Sequence, residues 1–217
     1  MHAFPPDPDA ERMVRFQVAA RGVRDARVLE AMRRVPRDRF VPAAHRADAW
    51  ADRPLPIGRG QTVSQPYMVA LMCEALGLRG RERVLEVGTG SGYQAAVLGE
   101  LAAEVFTVER IPELAEQAAR ALEALGCGNV TVVTGDGCRG LPDRAPFDAI
   151  VVAAAAPAVP AALRAQLADG GILVVPVGGT AAVQVLMMVR RAGDRFTVEE
   201  GAACRFVPLI GEGAFAG

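Results

Sequence analysis

Lysine is absent from this chain. All 24 basic residues among its 217 are arginine, which removes any lysine nucleophile or Schiff-base chemistry. Histidine occurs only as His2 and His45. The four cysteines, Cys73, Cys127, Cys138 and Cys204, are scattered and form no C-x-x-C pair. A zinc site or other metal site is therefore not expected, and free, mostly buried thiols in a reducing cytoplasm are the default reading. Excess charge is missing too. The 24 arginines face 25 acidic residues, for a net charge of −1, which speaks against a broad basic surface for nucleic acid. Long apolar runs are lacking. The longest, Ala149 to Leu163, is broken by Pro157 and Pro160 and is too short to span a bilayer. Residues Met1 to Ala10 carry three prolines and two aspartates, without the basic start or apolar core of a signal peptide.

What remains is a chain with 51% hydrophobic residues, enough to bury one sizeable α/β core with additions. Apolar spacing predicts short amphipathic helices near residues 10–20 and 25–34, the second with Val28, Leu29, Met32 and Val35 on one face. Residues 36–65 read as a proline-rich loop, long enough to suggest function. A helix follows over 66–76, with Pro66 in its first turn, where a missing N–H costs nothing. From residue 83 the pattern alternates. Strands are predicted at 83–87, 104–109, 130–134, 147–152 and 171–177, and helices at 93–101, 112–125 and 158–167. Segments 183–190, 195–200 and 203–209 are expected to complete the sheet. Near-continuous apolar strands alternating with helices indicate a mostly parallel, doubly wound sheet of the Rossmann-like kind. The expected organisation is an amino-terminal helical extension, 1–77, packed on a core, 78–217, as one compact unit.

The densest signal is Val84-Leu85-Glu86-Val87-Gly88-Thr89-Gly90-Ser91-Gly92-Tyr93. An apolar strand runs into a loop with glycine at every second position, and the loop opens a helix. Such a loop lets backbone approach a ligand closely, and the helix start offers free N–H groups. A dinucleotide fingerprint needs G-x-G-x-x-G; here the third glycine comes one position early. Glu86, two residues before the loop, suits a cation better than a pyrophosphate.

Further candidates end the following strands. Glu109 is placed to accept both hydroxyls of a ribose, or is a solvated charge before the turn at Pro112. Asp136, between Gly135 and Gly137, is placed to accept an adenine amino group, or forms an Asx-turn. The fourth strand ends in Ala153-Ala154-Ala155-Ala156-Pro157, where no side chain is able to act as a base. A carboxylate nucleophile fits that absence, being ionised at neutral pH.

Taken together, these residues resemble a class I S-adenosylmethionine-dependent methyltransferase. The segment Arg53 to Pro66, with Gln61-Thr62-Val63-Ser64-Gln65-Pro66 at its end, is similar to the corresponding part of the protein-L-isoaspartate (D-aspartate) O-methyltransferases, as are Val84–Leu98, Val108–Leu114, Gly135–Gly137, Ala153–Pro157 and Phe206–Gly211. Val63, for a more common isoleucine, and Cys204-Arg205 are small departures. The resemblance covers roughly residues 10–212. It implies a seven-stranded, mostly parallel sheet and a protein-repair enzyme. That enzyme would methylate the α-carboxylate of L-isoaspartyl residues in damaged proteins and peptides, releasing S-adenosylhomocysteine; the ester would then cyclise to a succinimide.

The resemblance also implies roles. Ser64 is the active-site residue, its hydroxyl positioning the substrate carboxylate; the alternative is a cap on the helix from Pro66. Gly88, Thr89, Gly90, Ser91, Gly92, Glu109, Asp136 and Gly137 bind the cofactor, with Gln65 and Pro66 beside them and Glu86 facing the methionine ammonium. Thr62, Val63, Val207, Pro208 and Leu209 meet the peptide. Arg59 and Arg205 are candidates to attract the substrate carboxylate, or are surface arginines; His45 reads as a surface residue and Met187-Met188 as packing. A cytoplasmic monomer without nucleic-acid or membrane partners is expected. Two alternatives keep the fold: a methyltransferase for one aspartate of a modified peptide, and a cofactor-binding module without catalysis.

Overall fold

In a computed structural model, residues 7–180 and 182–216 are described; His2 lies outside them. Asp7 caps helix α1 (Pro8–Met13) by accepting from the N–H groups of Asp9 and Ala10. The helix expected over 10–20 then changes pitch, to a π-helical turn at Val14–Val18 and a 3-10 turn at Ala19–Arg21, and ends at Gly22 with φ of 109°. Asp25 caps α2 (Ala26–Arg34) in the same manner. The stretch read as one long loop is more ordered than its prolines suggest. It holds 3-10 turns at Arg37–Phe40 and Ala43–Asp48, then a hairpin of β1 (Leu55–Gly58) and β2 (Gln61–Val63). Strands of four and three residues are too short to show a period. The turn between them uses Gly58, Arg59 and Gly60, all at positive φ. Helix α3 (Pro66–Leu76) ends on Gly77, also left-handed.

The core follows the expected alternation: β3 (Arg83–Val87), α4 (Tyr93–Leu101), β4 (Glu104–Glu109), α5 (Pro112–Ala124), β5 (Val130–Thr134), β6 (Phe147–Val152), α6 (Ala161–Ala165), β7 (Leu167–Val177), β8 (Gln184–Ala192) and β9 (Arg195–Cys204). The seven-stranded sheet has the order β5-β4-β3-β6-β7-β8-β9. Strands β3 to β7 are parallel, and β8 and β9 run antiparallel at the edge. From β3 the chain winds outward through β4 to β5, then returns across β3 to β6. That reversal opens a crevice at the carboxyl ends of β3 and β6.

Several boundaries differ from expectation, among them that of β7, which begins at Leu167 rather than at 171. Helix α6 starts after Pro160, because a proline disfavours helical backbone at the residue before it, here Val159. Strand β9 runs unbroken from 195 to 204. Of the strand expected over 203–209, residues 203 and 204 end β9 and residues 205–209 leave the sheet instead. Gln184 Oε1 accepts from the N–H of Phe206, and Ala155 then captures the chain. Its N–H donates to the Val207 carbonyl at 2.8 Å and its carbonyl accepts from Leu209 N–H at 2.7 Å. The tail is thereby drawn across the strand ends.

Successive strand residues face opposite layers. Val84 points toward the amino-terminal helices, whereas Leu85 and Val87 join Phe106, Phe147 and Ile150 beneath. The upper cluster takes in Met13, Val28, Leu55, Met72, Leu98 and Val174, so the extension and the sheet share one core. Residues 93–98 of α4 are all buried between them, the pattern of a helix covered on every side. All four cysteines are buried free thiols, and burial pushes their pKa values up, that of Cys138 to about 12.

Candidate functional site

The crevice is a cleft of about 870 Å³, counting the space open at its mouth. Its floor is Val87 to Ser91 with Val108, Glu109 and Ile111. One wall is Gln61 to Ser64, from the hairpin. Ala153 and Ala154 form the back, and Val207 to Ile210 cover it. Of the residues expected at the site, Thr62, Val63, Ser64, Gly88, Thr89, Gly90, Ser91, Glu109, Gly137, Val207, Pro208 and Leu209 line this one cleft.

The glycine loop takes its shape from positive φ at Gly88 (96°), Gly90 (53°) and Gly92 (88°). A side chain at Gly88 would meet Ala153 and strain the backbone. The loop is fixed through main chain: Gly88 N–H donates to the Val108 carbonyl at 2.9 Å, and Gly92 N–H to that of Thr89 at 2.8 Å. Gly92 itself does not line the cleft; it packs on Ala118 and Leu122 and starts α4.

The carboxylates divide by what holds them. Glu109 is buried at the cleft, not a solvated charge. Its Oε2 accepts from Gly90 N–H at 2.9 Å and its Oε1 from Ile111 N–H at 3.0 Å. The remaining lone pairs suit a diol. Asp136 takes the Asx-turn form, accepting from Cys138 N–H at 2.9 Å, and its second oxygen accepts from Glu212 N–H at 3.0 Å. Burial alone would raise its pKa; these backbone donors outweigh it and hold the pKa below the usual range. Asp136 thus ties the tail down, and Gly137 rather than the carboxylate lines the cleft.

Glu86 departs from the expected contact. It is fully buried under the loop and does not line the cleft. Its Oε2 accepts from the Thr107 hydroxyl at 2.6 Å, which lies 2.6 Å from the Thr89 hydroxyl. Oε1 has no partner among the described residues. Burial pushes the pKa up to about 8, and Glu109 adds to the rise. From Glu86 a chain of hydrogen bonds runs through Thr107 to Thr89, which lines the cleft. Thr107 escaped the sequence reading, although a polar residue in an apolar strand, in register with Glu86, was the available signal.

Ser64 sits where two cavities meet. It lines the glycine-loop cleft and also a second cavity with Arg21, Gln65, Tyr67, Arg205 and Phe206. It is not the helix cap: Gln65 occupies that position in α3, and no side chain caps the helix. Gln65 Nε2 donates to the Asp52 carbonyl at 3.0 Å, and Pro66 is buried at the first helical position. Of the two candidate arginines, Arg59 pairs with Glu113 at 2.7 Å outside the cleft, whereas Arg205 lines the second cavity. His45 lies in a 3-10 turn away from both cavities. Two residues of the site had no local signal. Tyr93 lines the cleft at the start of α4, and Arg37 stands behind Ser64.

A family model described as protein-L-isoaspartate (D-aspartate) O-methyltransferase matches residues 9–214. Protein-L-isoaspartate O-methyltransferase 2 of Marinobacter nauticus is 58% identical over 201 residues, 92% of each chain. The protein-L-isoaspartate O-methyltransferase of Methanoculleus marisnigri is 52% identical over all of this chain and 98% of its own. A solved protein-L-isoaspartate O-methyltransferase superposes with a TM-score of 0.85 at 30% identity, over 94% of this chain and 67% of that one. A Plasmodium falciparum structure in complex with S-adenosyl-L-homocysteine shares the fold, with a TM-score of 0.81 at 23% identity, over 94% of this chain and 99% of that one.

Proposed function

The chain belongs to the protein-L-isoaspartate O-methyltransferase family, and from that premise we propose that it transfers a methyl group from S-adenosylmethionine to the α-carboxylate of L-isoaspartyl residues in proteins and peptides. The ester then closes to a succinimide without the enzyme and opens in part to normal aspartate. The observation that carries the reading is the position of Ser64, whose residue lines both the glycine-loop cleft and the adjoining cavity. Ser64 thus stands between the two cavities.

The residues present fit the cofactor. Glu109 offers its free lone pairs to the ribose hydroxyls, and the positive-φ glycines leave room for close approach. When bound, the cofactor supplies an electrophilic methyl on a sulfonium. Ser64 donates to one oxygen of the substrate carboxylate and leaves the other aimed at that methyl. The chemistry the cofactor would supply is transfer of its methyl from sulfonium sulfur to a carboxylate oxygen, and because that carboxylate is already ionised at neutral pH no residue would need to move a proton. Opposite charges are lost on the way to the transition state, so orientation and exclusion of water contribute more than acid–base catalysis. Ala153 and Ala154 accordingly offer no base, and the apolar Val207 to Leu209 line the cleft beside them. Thr62, Val207 and the Arg205 side of the second cavity take the peptide, largely through its backbone. The same reading takes the protein to act as a cytoplasmic monomer without nucleic acid. No helix among the described residues is long and apolar enough to cross a membrane.

Incubation with labelled S-adenosylmethionine and a pair of peptides, differing only in isoaspartyl against aspartyl linkage, tests this. Label is expected in the isoaspartyl peptide alone. Equal labelling, or none, rejects the proposal.

A further inference from the structure

Arg37 is the largest fully buried side chain among the described residues, although it carries a guanidinium. An arginine without exposure needs partners that justify its desolvation. Among the described residues it has three, none of them a carboxylate, while its Nη1 has no hydrogen-bond partner. Its Nε donates to the Ala49 carbonyl at 2.8 Å. Its Nη2 donates to the carbonyl of Ser64 at 2.8 Å. Its guanidinium carbon stands 4.6 Å from the centre of the Tyr93 ring, which Phe40 meets edge-on at 5.8 Å. Tyr93 is the residue directly after Gly92, the last glycine of the loop.

We propose that Arg37 is a positioning residue, a strut that sets Ser64 against the glycine loop at the separation methyl transfer requires. One rigid plane touches both walls of the cleft from behind. A hydrogen bond fixes the Ser64 peptide, and the ring face fixes the first turn of α4. The fork is what makes this work: two carbonyls, Ala49 and Ser64, are engaged at once, which a lysine ammonium matches poorly in geometry. Arg37 touches neither cavity and contacts no reactant, so it acts through Ser64. An in-line displacement depends steeply on placement, and an error near 1 Å costs about 100-fold.

The proposal rests on the functional reading of Ser64, and its test is a double-mutant cycle. Arg37→Lys, Ser64→Ala and the double variant are compared for kcat on an isoaspartyl peptide and for S-adenosylmethionine affinity by calorimetry. Arg37→Lys is expected to lower kcat at least tenfold with cofactor Kd within about twofold. In the Ser64→Ala background the same change is expected to cost less than about twofold, because the hydroxyl it aims is gone. A residue that merely stabilised the fold would give losses that multiply. Multiplying losses, or an unchanged kcat in Arg37→Lys, overturn the strut and leave the functional reading intact. A wild-type enzyme silent on the peptide, or an unchanged kcat in Ser64→Ala, overturns both. If Arg37→Lys does not fold, Arg37→Gln carries the same cycle, since its amide reaches one carbonyl where the guanidinium reaches two.

Discussion

The glycine-loop wall of the cleft is held mostly through main chain, Gly88 and Thr89 donating to the Val108 carbonyl and Gly92 to that of Thr89, with one side chain, Glu109 at the end of the neighbouring strand, accepting from Gly90. The Ser64 wall is held from behind by side chains far away in sequence. Arg37 reaches the Ser64 carbonyl, Gln65 ties back to Asp52, and Arg21 stacks 3.6 Å above the Tyr67 ring while pairing with Asp52. The first wall is a property of a strand, a turn and a helix start, and it serves any reaction that needs the same ligand. The second is assembled from the amino-terminal extension and, on the proposed function, sets what meets that ligand. Binding and turnover are therefore expected to fail separately.

The largest expected break is in the first wall. Gly88→Val places a branched side chain at φ of 96°, against Ala153. Backbone strain of about 1–2 kcal/mol adds to the lost approach of ligand to backbone. S-adenosylmethionine affinity measured by calorimetry should fall by more than about 100-fold, with Ser64 untouched. Retained binding would mean that the loop does not hold the cofactor.

A smaller effect concerns Glu86 beneath that wall. Its pKa is pushed up from 4.5 to about 8 in the folded protein. Between those values the folded state holds a proton the unfolded chain has lost. Its contribution to stability is thus full below about pH 4.5 and declines as pH rises toward 8. Glu86→Gln keeps the shape and the neutral charge. The stability difference between wild type and variant should move in the variant's favour with rising pH, by up to about 1.4 kcal/mol per unit. Denaturant titrations at pH 5 and pH 8 measure it. A difference independent of pH would show that Glu86 is ionised in the folded protein.

The same contrast explains what the sequence disclosed. The parallel strands 83–87, 104–109 and 147–152 declared themselves through apolar runs, since a strand buried on both faces has little choice of residue, and the half-exposed edge strand 130–134 through its β-branched Val-Thr-Val-Val-Thr. The glycine loop and Glu109 were legible because their geometry is local. The hairpin at 55–63 was not, being too short to show alternation, and the path of 205–210 was not, because Ala155 redirects it from outside its own segment. Asp136 showed its turn but not Glu212, its partner 76 residues away. Arg37 was invisible. Beside Arg33, Arg34 and Arg39, which are at most half-buried, nothing in its neighbourhood distinguishes the one arginine that the fold encloses.

Ser64→Ala examines the separation of the two walls most directly. S-adenosylmethionine affinity and single-turnover methyl transfer to an isoaspartyl peptide are measured on the same preparation. The predicted result is an affinity within about twofold of wild type and a transfer rate at least tenfold slower. An unchanged rate, or a loss of cofactor affinity as large as the loss of rate, would contradict the account.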